Sequence, residues 1–292
     1  MTQKELAWQS KLVLLLVLPM AGADVVLQAR FWAAQQPPVA VWTLGLSALL
    51  GLATWKLRAA TPGASAAGAL ITANLMFSTA AFPYQPWHTA LVPVLAVSLL
   101  AFGATRVGRS RKERLGTGEQ RKGRAAAQIA ANLGAAALIS NDAAQTWLSS
   151  SHWSHWLVSA QAPLVAAALA ALAEAAADTV SSEIGQVLGG RPRMLTTVRA
   201  VEPGTDGAIS LAGTLAGMAG AAIVSALGAA ALRGGAELFS LSCAGAVFGL
   251  FFDSLLGATL ERAGWLNNDA VNFLSTCSAA GFALVVMAVV AK

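Results

Sequence analysis

Three acids fall within ten residues of one another in an otherwise apolar part of the chain: Glu174, Asp178 and Glu183. On a helix Glu174 and Asp178 are one turn apart and share a face, which Ser181 and Ser182 continue. Glu183 points away on a regular helix, so it can meet Asp178 around one ligand only if the chain bends near Ser182 or Gly185. An acid at membrane depth costs roughly 3 kcal/mol on insertion scales, which makes it a candidate functional residue. The plain alternative is a helix end that already reaches interfacial water. Arg191, Arg193, Thr196, Thr197 and Arg199 follow, and then the turn Pro203-Gly204-Thr205-Asp206-Gly207. Pro-Gly cannot continue a helix, so Thr205 or Asp206 is the expected N-cap of the next one. A helix start opened by small residues offers free N–H groups to a phosphate. Carboxylates for a hard divalent cation, with arginines and N–H donors for phosphate oxygens, are the parts of a phosphoryl-transfer site. No GxxxxGK[ST] loop occurs, which excludes a P-loop enzyme.

A second acidic stretch lies about 75 residues further on. Gly245, Gly249, Asp253 and Gly257 recur at a four-residue spacing. A glycine stripe lets another backbone approach, so Asp253 is expected to face the bundle. Ser254 follows it, then Asn267, Asn268, Asp269, Asn272, Ser275 and Thr276. Ser210, Gly213, Thr214 and Gly217 form a comparable small-residue side after the first stretch. Aligning Asp206–Thr214 with Asn268–Thr276 pairs polar with polar residues. The hairpins 156–231 and 238–290 therefore read as a parallel repeat whose acids, Asp178 and Asp253, converge.

These residues need a membrane framework. Hydrophobic residues make up 56% of the 292 and charged residues 11%, against about a quarter charged in soluble domains. Apolar runs at 12–29, 39–55, 64–81, 87–104, 125–140, 156–178, 207–231, 238–260 and 270–290 predict nine spanning helices in an all-α polytopic bundle. The alternating signature of a membrane β-barrel is missing. With a cytoplasmic N-terminus, 16 of the 19 Lys and Arg fall on the inner side, a strong positive-inside signal. Lys4, the run Leu12 to Leu18 and Ala21-Gly22-Ala23 also fit a cleavable signal peptide; the segment is taken as the first span. The nine tryptophans lie near span ends, as an aromatic belt does. Cys243 and Cys277 sit inside apolar runs and read as packing residues; His88, His152 and His155 read as surface residues.

Three regions follow: a four-helix segment at 1–105, a basic cytoplasmic loop at 106–124, and a five-helix catalytic core at 125–292. Eight positive charges in the loop can simply bind anionic lipid headgroups. Its end, Gln120 to Arg124, abuts the polar fifth span with Gln128 and Asn132 and is the better functional candidate. The basic balance does not argue for nucleic acid.

Asp178-Thr-x-x-Ser182-Glu183-x-Gly185, Pro192-Arg193, Pro203-Gly204-Thr205-Asp206-Gly207-Ala-Ile-Ser210, Asp253-Ser-x-x-Gly257 and Asn268-Asp269-x-x-Asn272 together resemble the membrane family known as domain of unknown function 92, over roughly 100 to 290. That family includes the plant phytyl-phosphate kinase of tocopherol synthesis. The resemblance implies transfer of a γ-phosphoryl group from CTP or another nucleoside triphosphate to an isoprenoid monophosphate at the cytoplasmic membrane face. On that reading Asp178, Glu183 and Asp253 hold Mg2+, with Asp206 and Asp269 as further carboxylates. Arg124, Arg193 and Arg199 clamp phosphates, and Thr197, Gly204, Thr205, Gly207, Ser210, Asn132, Asn268 and Asn272 complete the substrate site. Two other classes use similar parts: a cytidylyltransferase forming a CDP-lipid, and a transporter. Few polar residues in 141–155 and 232–237 offer a path outward, which favours a one-sided enzyme.

Overall fold

A computed structural model describes residues 7–115, 123–142, 145 and 161–290. It is all-helical apart from one short ribbon. The main helices are α1 (Ala7–Gln35), α2 (Pro37–Lys56), α3 (Pro62–Ser78), α4 (Leu91–Arg106), a short α5 (Arg109–Leu115), α6 (Ala126–Ile139), α7 (Gln161–Leu188), α8 (Leu211–Ala231), α9 (Gly235–Leu256) and α10 (Asn268–Val290). Leaving aside α5, each overlays one predicted apolar segment. Six of them, α1, α2, α7, α8, α9 and α10, are long and apolar enough to cross a membrane. The expectations for Gln120–Lys122, His152, His155, Trp147, Trp153 and Trp156 lie outside the described residues.

The bundle is organised around α7. Of its most apolar stretch 83% is buried, against 28% for α1 and for α2. The reason is its sequence: an alanine-rich run with few large side chains lets α4, α6, α8, α9 and α10 all pack on it. Glycines on the partner helices complete the close approach. A Cβ at Gly217 would lie 2.8 Å from the Ala177 carbonyl oxygen, and one at Gly249 would lie 2.6 Å from Cγ of Glu174. The stripe on α9 does what its spacing predicts.

The segments expected on one side of the membrane do gather at one end. Gln9 donates to the Trp265 carbonyl at 2.8 Å, and Ser10 donates to Asp269 at 2.6 Å. The Arg124 N–H donates to Ala59 O at 3.1 Å, while the Arg124 carbonyl accepts from Thr61 at 3.0 Å. At the other end His88 Nδ1 lies 3.0 Å from the Ala231 carbonyl oxygen, and Asn141 donates to the Met20 carbonyl at 3.0 Å.

Two local expectations fail. Helix α7 runs unbroken past Ser182 and Gly185 to Leu188, ten residues beyond the predicted span, so no bend turns Glu183 toward Asp178. The N-cap of α8 is Ser210, which accepts from the Gly213 N–H at 3.1 Å, and not Thr205 or Asp206. The cause is the ribbon: β1 (Arg193–Met194) pairs antiparallel with β2 (Ala208–Ile209), which keeps the chain extended up to Ser210. The caps also fall out of step with the proposed repeat. The alignment sets Ser210 against Asn272, yet α10 is capped by Asn267, whose side chain accepts from Ala270 at 2.9 Å.

Candidate functional site

Helix α7 carries Glu174 and Asp178 on its face toward α9 and α10. Glu174 is 1% exposed, which is possible for a carboxylate only because glycine at 249 leaves room for it. Helix α9 brings Asp253 beside Asp178, and Ser275 of α10, whose hydroxyl donates to the Asn272 carbonyl at 2.9 Å, stands near both Asp253 and Glu174. After Leu256 the chain widens into a π-helical turn, Gly257–Glu261, which delivers a fourth carboxylate, Glu261. Glu261 interacts electrostatically with Asp178 and Asp206.

Asp178, Asp253 and Glu261 line a cavity of about 350 Å³ at the end of the bundle where the basic segments gather. Its wall includes Asp178, Glu183, Asp253, Glu261, Asp206, Arg124, Asn132, Asn268 and Asn272, with the loop from Pro203 to Ala208 and Ser210. Gly207 is fixed there by necessity. Its φ is +70° and a Cβ would come within 2.0 Å of the Ala258 nitrogen, so the loop lies directly on the π turn. Gly123, with φ +77°, sits close against the Ala59–Ala60 backbone, where a Cβ would come within 2.8 Å, and this contact sets the position of Arg124. Arg124 is the cation that acts most strongly on Asp178. Asp206 stands at the rim, where desolvation raises its pKa and Arg262 pulls it back down.

One oxygen each of Asp253, Glu174 and Glu261, and the Gln186 amide oxygen, is buried without a hydrogen-bond partner. Buried polar atoms in folded proteins are nearly always paired, so orphaned oxygens beside a polar cavity mark a place where a cation or other ligand can bind. Several carboxylates crowded at low dielectric repel one another unless a cation or protons intervene. Hard oxygen donors of this kind fit Mg2+. Among the described residues no three Asp, Glu, His or Cys side chains already converge as a finished metal cage.

The predicted site residues divide. Asp178, Asp253, Asp206, Arg124, Asn132, Gly204, Thr205, Gly207, Ser210, Asn268 and Asn272 come together around the cavity. Glu183 reaches its wall but is tied to Lys112 of α5, Nζ to Oε2 2.5 Å. Arg193, Thr197 and Arg199 are exposed on the ribbon outside the cavity, and Arg193 donates to the Val198 carbonyl at 3.0 Å. Asp269 turns to Ser10 of α1. Sequence reasoning missed Glu261, although it continues the spacing of Gly245, Gly249, Asp253 and Gly257 by one further step.

Apolar helices closed around an acid-lined polar cavity define an integral, multi-pass membrane protein with a site at one end of its bundle. The chain belongs to the family described as integral membrane protein DUF92, whose model matches residues 45–280. The match begins inside α2, well before the resemblance read from the motifs, and so includes the α2–α3 turn that holds Arg124. An uncharacterized membrane protein of Synechocystis is 31% identical over 201 residues, covering 68% of this chain and 73% of that protein. An uncharacterized membrane protein of Methanocaldococcus jannaschii is 44% identical over 108 residues, 37% of this chain and 45% of that protein. Protein VTE6, chloroplastic, of Arabidopsis thaliana is 35% identical over 101 residues, 34% of this chain and 30% of that protein. The chain thus matches less than half the length of these last two relatives. No solved structure matches it significantly.

Proposed function

We propose that the chain is a kinase of isoprenoid monophosphates, acting at the cytoplasmic face of the membrane. The observation that carries this reading is the cavity itself, in which orphaned carboxylate oxygens of Asp253 and Glu261 share a space with Asp178 and Arg124. In the reaction an anionic oxygen of the prenyl monophosphate attacks the γ-phosphorus of CTP or another nucleoside triphosphate. A new P–O bond forms, the bond to the β-phosphate oxygen breaks, and prenyl diphosphate and nucleoside diphosphate leave. The nucleophile is already ionised, so no strong general base is needed; what the protein must supply is alignment and charge neutralisation.

Asp178 and Asp253 would hold Mg2+, with Glu261 and Asp206 alongside. When bound, the ion neutralises the phosphate oxygens and orients the triphosphate. Arg124 binds the acceptor phosphate, and the backbone of the loop Gly204–Gly207 lies where it can contact the donor. Glu183 is a positioning residue in this scheme, since its carboxylate holds Lys112 and with it α5.

The test is to incubate purified protein with γ-labelled CTP or ATP and prenyl monophosphates of several lengths. Label in a prenyl diphosphate is expected. Release of labelled pyrophosphate with a CDP-lipid product would replace the reading with a cytidylyltransferase, and vectorial uptake without either product would replace it with a transporter. A cysteine at Arg191 should react with an impermeant reagent only from the cytoplasm, and one at Glu237 only from outside; labelling of both from one side would remove the assigned topology.

A further inference from the structure

Arg124 and Asn132 line a second cavity as well as the acidic one, so the two spaces share a wall. This second cavity, of about 370 Å³, lies among α2, α4 and α6 and has the opposite chemistry. Val97, Ala101, Ile129 and Leu133 make an apolar interior, while Arg58, Arg106 and Arg109 stand around it. Arg106 is packed flat on Phe102, its guanidinium carbon 3.2 Å from the ring centroid. Among the described residues no carboxylate lines the space.

The cavity also reaches the surface of the bundle. Helix α4 leans on α7 and α8, whereas α2 leans on α1 and α3, which leaves the space between α2 and α4 to the cavity. Leu57, on its wall, is 56% exposed at the end of α2, beside Lys56 and Arg58. An apolar interior, a cationic surround and access from the surface together suit a molecule with a hydrocarbon chain and a phosphomonoester head.

We propose that this cavity seats the hydrocarbon chain of a single-chain phosphorylated lipid, entering between α2 and α4, with its phosphate brought to Arg124 at the shared wall. The inference rests on the kinase reading only for the identity of that lipid as acceptor. It assigns the N-terminal helices a role of their own, as the lipid port of a site whose acids come from the C-terminal helices.

The experiment uses the intact protein in phosphatidylcholine nanodiscs, without nucleotide. The probe is a C15 prenyl monophosphate carrying a diazirine at the far end of its chain. Photo-adducts are expected on residues 97–101 and 129–133. Unlabelled farnesyl monophosphate should suppress them, and an equal concentration of phosphatidic acid should not. Ala101→Trp fills the interior and should remove most of the labelling; Ser98→Leu is a milder second obstruction should the first fail to fold. Arg58→Gln should raise the half-saturating probe concentration about tenfold, the scale of one charge-assisted contact. Adducts confined to the outer helix surfaces, or equal suppression by phosphatidic acid, would overturn the assignment. Specific labelling in a protein that transfers no phosphate would sink the kinase reading and leave the port standing. Transfer activity with labelling elsewhere would do the reverse.

Discussion

Carboxylates are buried at both ends of this bundle, and the two ends treat them differently. At the end away from the cavity, Asp24 accepts from Asn74 Nδ2 at 2.8 Å and from the Asp142 N–H at 3.1 Å, and the Gln28 side chain donates to Asp142. That network ties α1, α3 and the end of α6 together. At the cavity end the partners run out: Asp253 and Glu261 each keep an oxygen unpaired, beside open volume. A buried acid whose hydrogen bonds are supplied by the protein is structural cement. One whose partners are withheld is a place for something else to bind.

Substitutions can break this contrast or sharpen it. The largest effect is expected from Asp178→Asn, which is nearly isosteric: normal expression with turnover at least ~100-fold lower, as for loss of a key electrostatic contact. Near-normal activity would leave Asp178 a structural residue of α7 with no part in the chemistry. Next comes Asp253→Asn combined with Asp178→Asn. If both acids hold one ion, the double variant is about as inactive as either single, and raised Mg2+ partly rescues the singles alone. Multiplicative losses would separate the two acids into independent sites. Glu261→Gln should lose about tenfold in turnover, the scale for a group that orients a site's ligands; no loss would place Glu261 outside the chemistry. The smallest effect on turnover belongs to the other end. Asp24→Ala strands the Asn74 amide and the Asp142 N–H and should cost about 2 kcal/mol of stability, seen as a lower Tm, with activity per folded molecule unchanged. In Mg2+-free buffer Asp178→Asn should do the opposite and hold or raise Tm, because it removes one of several repelling charges.

The helices were legible because apolar runs of this length have one stable form in lipid. Asp178 and Asp253 were legible for a similar reason: an acid on an alanine-rich or glycine-striped helix has nowhere to point but inward. What failed was tertiary. Nothing near Glu183 in sequence announces Lys112, 71 residues away, as its partner. Arg193 and Arg199 share a loop with the site, but the pairing of Arg193 with Ile209 turns that loop into a ribbon and puts both arginines outside. Thr205 and Asp206 are good caps by type, and the same ribbon postpones the helix to Ser210.

The π-helical turn at Gly257–Glu261 amounts to one extra residue spliced into the end of α9. Its consequence is a matter of reading frame. Deleting a single residue between Gly257 and Leu260 would let the segment rewind as an ordinary helix in the same phase, because four residues of α-helix turn through about the angle that five take in the π turn. Glu261 would then still face the cavity, whereas winding all five residues as an ordinary helix without a deletion would turn it away by roughly 100°. The wider winding of this short stretch, as much as any residue in it, therefore sets whether the fourth carboxylate faces the cavity.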